Sequence, residues 1–179
     1  MIFRNFLAGL LLILFSDFCV IASETNEKQI ETKRSGYWTY YCKNNEKEKQ
    51  CEIVRKINIE EHNDTFLIIY SITKDINSKI KENFNITTPP DTKVNTKKRL
   101  KISFDDKTRF TKSFLKCEET SCLTVFKSNK MLKYSMKNFN EIKIIFYGFE
   151  NEEPITLTLP MDGFTQALDN INQQLIKSF

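Results

Sequence analysis

The chain has 179 residues, is 40% hydrophobic and 28% charged, and carries a formal net charge of +4 at pH 7. Its 15 Phe supply core material, while Gly and Pro are scarce at four each, so the composition excludes a linker and describes a globular protein with one core. Abundant Lys, Asn and Ile look like the product of an AT-rich genome, which lowers the weight of any single lysine.

Residues 1–22 read MIFRNFLAGLLLILFSDFCVIA, with Arg4 ahead of an apolar run from Phe6 to Phe15. A run of about ten residues is too short to cross a bilayer as a helix and fits the apolar region of a signal peptide better than an uncleaved anchor. Val20 and Ala22 supply the small residues that a signal peptidase reads, so cleavage is expected after Ala22. Ser16, Asp17 and Phe18 are poor neighbours for acylation of Cys19. Arg4 and Asp17 cancel, so export leaves the net charge unchanged.

Loss of Cys19 leaves Cys42, Cys51, Cys117 and Cys122. An even number of cysteines in an oxidising compartment argues for disulfides. Other pairings are formally open, but the close spacing within each half favours Cys42–Cys51 and Cys117–Cys122.

A polar leader over residues 23–35 is expected to be disordered, with one domain over 36–179. In GYWTYYC, Trp38, Tyr40 and Cys42 share one face of a strand, and Cys51, Ile53 and Ile57 share one face of the next. DTFLIIYSIT reads as a nearly continuous apolar strand, followed by a polar connection in which Pro89 and Pro90 break regular pairing. RLKISF places Leu100, Ile102 and Phe104 on one face. RFTKSFLKC and SCLTVF then form a hairpin turning at EETS.

At SNKMLKYSMKNF the period changes: Ser128 is the expected cap of a short helix with Met131, Leu132, Ser135 and Phe139 on one stripe. Strands return at EIKIIFYGF, with Ile142, Ile144 and Phe146 inward, and at PITLTL, with Ile155, Leu157 and Leu159 inward. Asp162 is the expected cap of a closing amphipathic helix whose stripe is Phe164, Ala167, Leu168, Ile171 and Leu175. Many short strands separated by turns indicate an antiparallel sandwich.

The candidate chemistry is thin. A zinc site needs about four ligands at close spacing, yet Cys42 and Cys51 are too far apart in sequence and His62 is the one histidine. Neither cysteine pair has the C-x-x-C spacing of a catalytic dithiol at a helix start. His62 sits among Glu60, Glu61, Asn63 and Asp64 in what reads as a solvated turn, and those carboxylates lack the spacing of a calcium loop. Asp105 and Asp106 read as hairpin-turn residues. No metal or cofactor is expected.

The strongest charge feature is KVNTKKRLK, in which Lys97, Arg99 and Lys101 would form one outward row on a strand. Such a row suits anionic lipid headgroups, lipopolysaccharide or an acidic partner, although a solvated face or edge-strand protection explains it more simply. It lacks an aromatic platform, so nucleic acid is not an expected partner. Asn63 and Asn85 begin glycosylation sequons, which matter only in a eukaryotic source.

The order of these motifs is more specific than any one of them: Gly36, Trp38 and Cys42, then Gln50 and Cys51, then Cys117 and Cys122, then Phe146, and finally Gly163, Phe164, Ala167 and Leu168. In that order the chain resembles the invasion-associated locus B family of exported bacterial proteins, from about Gly36 to Leu175. The resemblance implies an immunoglobulin-like antiparallel β-sandwich with two disulfides and two short helices, one of them C-terminal. The family takes its name from a member linked to entry into erythrocytes and has no agreed catalytic residues. This chain departs from the family pattern around Thr88 to Val94 and lacks the usual Gly after Asp105. The resulting expectation is a non-enzymatic protein of a Gram-negative periplasm or outer envelope that binds an envelope or host component. The competing class is a thiol–disulfide or metal-dependent enzyme.

Overall fold

The computed structural model describes residues 30–44, 47–59, 64–90, 94–105, 109–149 and 154–176. The segment expected to be a signal peptide, His62, Glu60, Glu61, Asn63 and Asp106 lie outside the described residues.

Strand formation begins earlier than the sequence patterning indicates. β1 (Lys33–Ser35) lies inside the segment expected to be a disordered leader and pairs antiparallel with β2 (Trp38–Asn44). β3 (Glu48–Ile59) and β4 (Asp64–Asp75) continue the meander with Cys51 opposite Ile72 and Ile53 opposite Tyr70. The segment read as a polar connection is instead β5 (Ile80–Thr88), paired with β4 on one side and with β9 (Cys122–Lys127) on the other. Its inward residues, Phe84, Ile86 and Thr88, are fully buried. Asn83 and Asn85 alternate with them and mask the period, and pairing on both edges overrides their low strand propensity. Pro89 and Pro90 follow the strand end.

The segment from Arg109 to Cys117 is not one strand. β7 (Arg109–Lys112) pairs with β6 (Leu100–Ser103), whereas β8 (Lys116–Cys117) pairs with β9. The chain therefore changes sheets between Lys112 and Lys116. β6 also pairs with β10 (Glu141–Tyr147), which pairs with β11 (Pro154–Pro160). The result is a seven-stranded sheet in the order β1-β2-β3-β4-β5-β9-β8 and a four-stranded sheet in the order β11-β10-β6-β7.

One face of each sheet enters a shared core, and Phe66 of β4 meets Phe146 of β10 with ring centroids 5.1 Å apart. On β11, an edge strand, only Leu159 is buried: Leu157 is half-buried and Ile155 is 43% exposed. α1 (Lys130–Asn138) is capped by Asn129, not Ser128, through a 2.8 Å bond from the Leu132 N–H to Asn129 Oδ1. Its buried side chains are Leu132, Ser135 and Met136, whereas Met131 is 54% exposed. α2 (Phe164–Ile176) packs its expected stripe against β1, β2 and β3. Its first intrahelical bond runs from the Ala167 N–H to the Gly163 carbonyl, so Gly163 and not Asp162 holds the cap position.

Candidate functional site

The two cysteine pairs occupy equivalent places. Cys42 stands directly opposite Cys51 across β2 and β3, and Cys117 opposite Cys122 across β8 and β9. Each pair is at disulfide distance, with Cα atoms 4.0 Å apart. Both lie on the inward face, with Cys51 and Cys122 fully buried, and both join paired strands away from any helix start. This is the placement of a staple. Among the described residues no three His, Cys, Asp or Glu side chains come together as a metal site.

The basic row is not a row. β6 begins at Leu100, so Lys101 is its one cation in the strand. Lys97 sits in a turn closed by Asn95 Oδ1, which accepts from the Lys97 N–H at 3.2 Å. Arg99 lines a small cleft beside Phe114 and Val125. The lysine with a specific contact is Lys98, whose Nζ stands 4.4 Å from the centroid of the Tyr147 ring.

A polar network that sequence reading missed joins β4, β5 and α1. The Tyr70 hydroxyl donates to Glu82 Oε2 at 2.5 Å, and Lys133 Nζ donates to Glu82 Oε1 at 2.6 Å. Burial pushes the Glu82 carboxyl up, but the bonds from Lys133 and Tyr70 outweigh it and hold the group below its ordinary value. Burial and then the Glu82 bond push the Tyr70 hydroxyl up. The signal was hidden because Glu82 belongs to the strand that was not recognised.

A groove of about 800 Å³ runs between the end of α1 and the start of α2, over Met136 and Met161. Its walls are tied together: Lys137 pairs with Asp169 at 3.5 Å, and the Thr165 hydroxyl donates to the Lys137 carbonyl at 3.2 Å. Those bonds fasten the two helix ends to each other.

A further surface is the outward face of the seven-stranded sheet. Its register aligns Thr39, Val54, Ile69, Asn85 and Val125 in one row across five strands. Lys56, Leu67, Thr87, Leu123 and Lys116 make the next. Val54, Leu67, Ile69, Leu123 and Val125 are only half-buried, whereas their inward neighbours are sealed. Asn85 Oδ1 is buried among them with no hydrogen-bond partner. At the other end of the face Tyr41 donates to Glu52, and burial followed by that bond pushes the Tyr41 hydroxyl up to about 12. Exposed Lys56, Lys116 and Lys127 rim the face.

The fold and these surfaces define a stapled antiparallel two-sheet β protein with a closing helix. A sequence model of the family described as invasion associated locus B (IalB) protein matches residues 38–172, and the chain belongs to that family. It is similar to the crystal structure of invasion associated protein B from Bartonella henselae, with 20% identity and a TM-score of 0.64. The match covers 80% of this chain and 97% of that one. No curated protein sequence matches.

Proposed function

We propose that this chain is an exported, non-enzymatic binding module that acts at the cell envelope or surface on an envelope or host component. The observation that carries the reading is the outward face of the seven-stranded sheet. A strand with a continuous apolar run, such as Phe66 to Tyr70, is the pattern of a strand covered on both faces, yet here one face is covered. Leu67 and Ile69 are therefore unexplained by the fold and explained by a partner.

The partner's chemistry follows from the rim. Lys56 and Lys127 favour a surface with carboxylates around an apolar centre, Lys116 being already paired with Glu118, and Asn85 Oδ1 offers an acceptor to a donor on it. A second copy stacked on this face would set one lysine rim against another. Two cross-strand staples hold the sheet, as suits a rigid docking surface outside the reducing cytoplasm.

The test is capture from intact envelopes by the processed chain, followed by binding of the isolated partner. Leu67→Lys with Ile69→Lys should weaken binding of that partner at least tenfold while leaving the thermal midpoint close to wild type, since neither side chain enters the core. A partner that binds the double variant equally well would place the interface elsewhere.

A further inference from the structure

One end of the sandwich carries apolar side chains that neither the core nor the outward face uses. Ile76, in the turn between β4 and β5, is 61% exposed, Ile80 at the start of β5 is 55% exposed, and Ile176 at the end of α2 is 77% exposed. The β4–β5 hairpin and the end of α2 thus place three isoleucines at one end. The register explains their convergence. Ile80 is the cross-strand partner of Lys74, and Lys74 Nζ donates to the Leu175 carbonyl at 3.2 Å, next to Ile176. Lys49, opposite Lys74 on β3, donates to the Gln174 carbonyl at 2.8 Å. The Ile76 N–H donates to the Lys47 carbonyl at 3.1 Å, which fastens the turn to the start of β3.

The turn does not need its isoleucine. Asp75 Oδ1 accepts from the Asn77 and Lys79 N–H groups at 2.9 and 2.8 Å, and Ser78 takes the left-handed conformation at φ 60°. These backbone and Asp75 contacts close the turn with any residue at 76. A polar residue would be the ordinary choice at such a tip, so Ile76 calls for another explanation.

Among the described residues the charge at this end is mainly basic. Lys47, Lys79 and Lys81 are exposed beside the isoleucines, Lys49 and Lys74 are bonded to the last carbonyls of α2, and the acidic residues are Glu48 and an Asp75 committed to its own turn. These isoleucines are 55–77% exposed beside lysines and are not gathered into a pocket for a peptide or a small molecule. They match a soft apolar phase lying beneath an anionic surface, into which separate side chains dip while ammonium groups stay at the headgroups.

We infer that this end of the sandwich is a peripheral contact for an anionic lipid bilayer, with Ile76, Ile80 and Ile176 entering the interface and the lysines meeting the headgroups. The strands then run away from the bilayer, and the outward face of the seven-stranded sheet stays open. The site goes beyond the partner-binding face and stands independently of it.

The experiment is flotation of the processed chain with phosphatidylcholine vesicles that contain phosphatidylglycerol, against vesicles of phosphatidylcholine alone. The wild type should float with the anionic vesicles only. Ile76→Asn, Ile80→Asn and Ile176→Asn together should weaken binding about tenfold or more. Lys79→Gln with Lys81→Gln should weaken it about fivefold per lysine. This second variant keeps the test decisive if the first folds poorly. Lys97→Gln, Arg99→Gln and Lys101→Gln together should float like the wild type. Failure of the wild type to float, or undiminished flotation of the isoleucine and lysine variants, overturns the inference. So does loss of binding in the triple variant at 97, 99 and 101, which would assign the contact to the β6 end. Leu67→Lys with Ile69→Lys should still float, so the two surfaces fail separately.

Discussion

Gly36 and Gly163 lie back to back, each in the space that the other's segment leaves. A Cβ on Gly36 would stand 2.4 Å from the Asp162 carbonyl oxygen, and one on Gly163 would stand 2.1 Å from the Ser35 carbonyl oxygen. Both residues have positive φ, 54° and 83°. This contact brings the start of β2 against the start of α2, where Trp38 meets Phe164 edge-on with centroids 5.2 Å apart. Ser35 Oγ donates to Gln166 Oε1 at 2.8 Å beside it. Gly163→Ala should therefore destabilise the protein by about 2 kcal/mol or more, from backbone strain plus the displaced strand. Urea unfolding checks this, and an unchanged midpoint would mean that the two segments separate at little cost.

Trp38 is the one tryptophan, and it is fully buried. Its native fluorescence should be blue-shifted and should move red on denaturation. Because its ring packs on Phe164, Phe164→Ala should red-shift the native emission and cost about 3 kcal/mol or more. A native emission maximum typical of bulk water would contradict the packing of α2 on β2.

Each cysteine pair closes a small loop, with sequence separations of 9 and 5. Loops of that size contribute about 2–3 kcal/mol by restricting the unfolded chain. Replacing Cys117 and Cys122 together by Ser should lower the thermal midpoint and leave the β-sheet circular dichroism and partner binding in place. Thiol titration of the native protein should find no free thiol, and non-reducing peptide mapping should recover Cys42 with Cys51 and Cys117 with Cys122. Two or more titratable thiols, or loss of an activity without loss of stability, would favour a redox or metal role.

The Glu82 network gives stability an acid limb. Its carboxyl is held below its ordinary value of 4.5 in the folded protein, so its contribution is complete above that value and is lost as the pH falls through the lower folded value. Glu82→Gln should cost about 1.5–3 kcal/mol at neutral pH, the range for hydrogen bonds to a charged group, and much less once the carboxylate is protonated. Urea midpoints of both proteins across the acid range test this. Parallel curves would show that Glu82 contributes no pH dependence.

Alternation along single strands determined much of this protein. Trp38 and Tyr40, the triplet Ile142, Ile144 and Phe146, and the α2 stripe from Phe164 to Leu175 are buried as their spacing requires, because a period of 2 or 3.6 assigns a face without reference to any neighbour. The order of motifs from Gly36 to Leu168 was enough to indicate the family. What one strand cannot encode is which strands lie beside it. β5 became visible only through its pairing with β4 and β9, and the change of sheets between Lys112 and Lys116 only through two sets of backbone bonds. Lys97, Arg99 and Lys101 looked aligned because alternation assumes a strand, whereas the strand starts at Leu100. The half-buried outward face and the isoleucine end have the same origin. Val54, Ile69 and Val125 are far apart in sequence, as are Ile76 and Ile176, and hydrogen-bond register and helix docking decided that they share a surface. Local spacing sets the direction of each side chain, but its company depends on long-range pairing, which is a property of the whole chain.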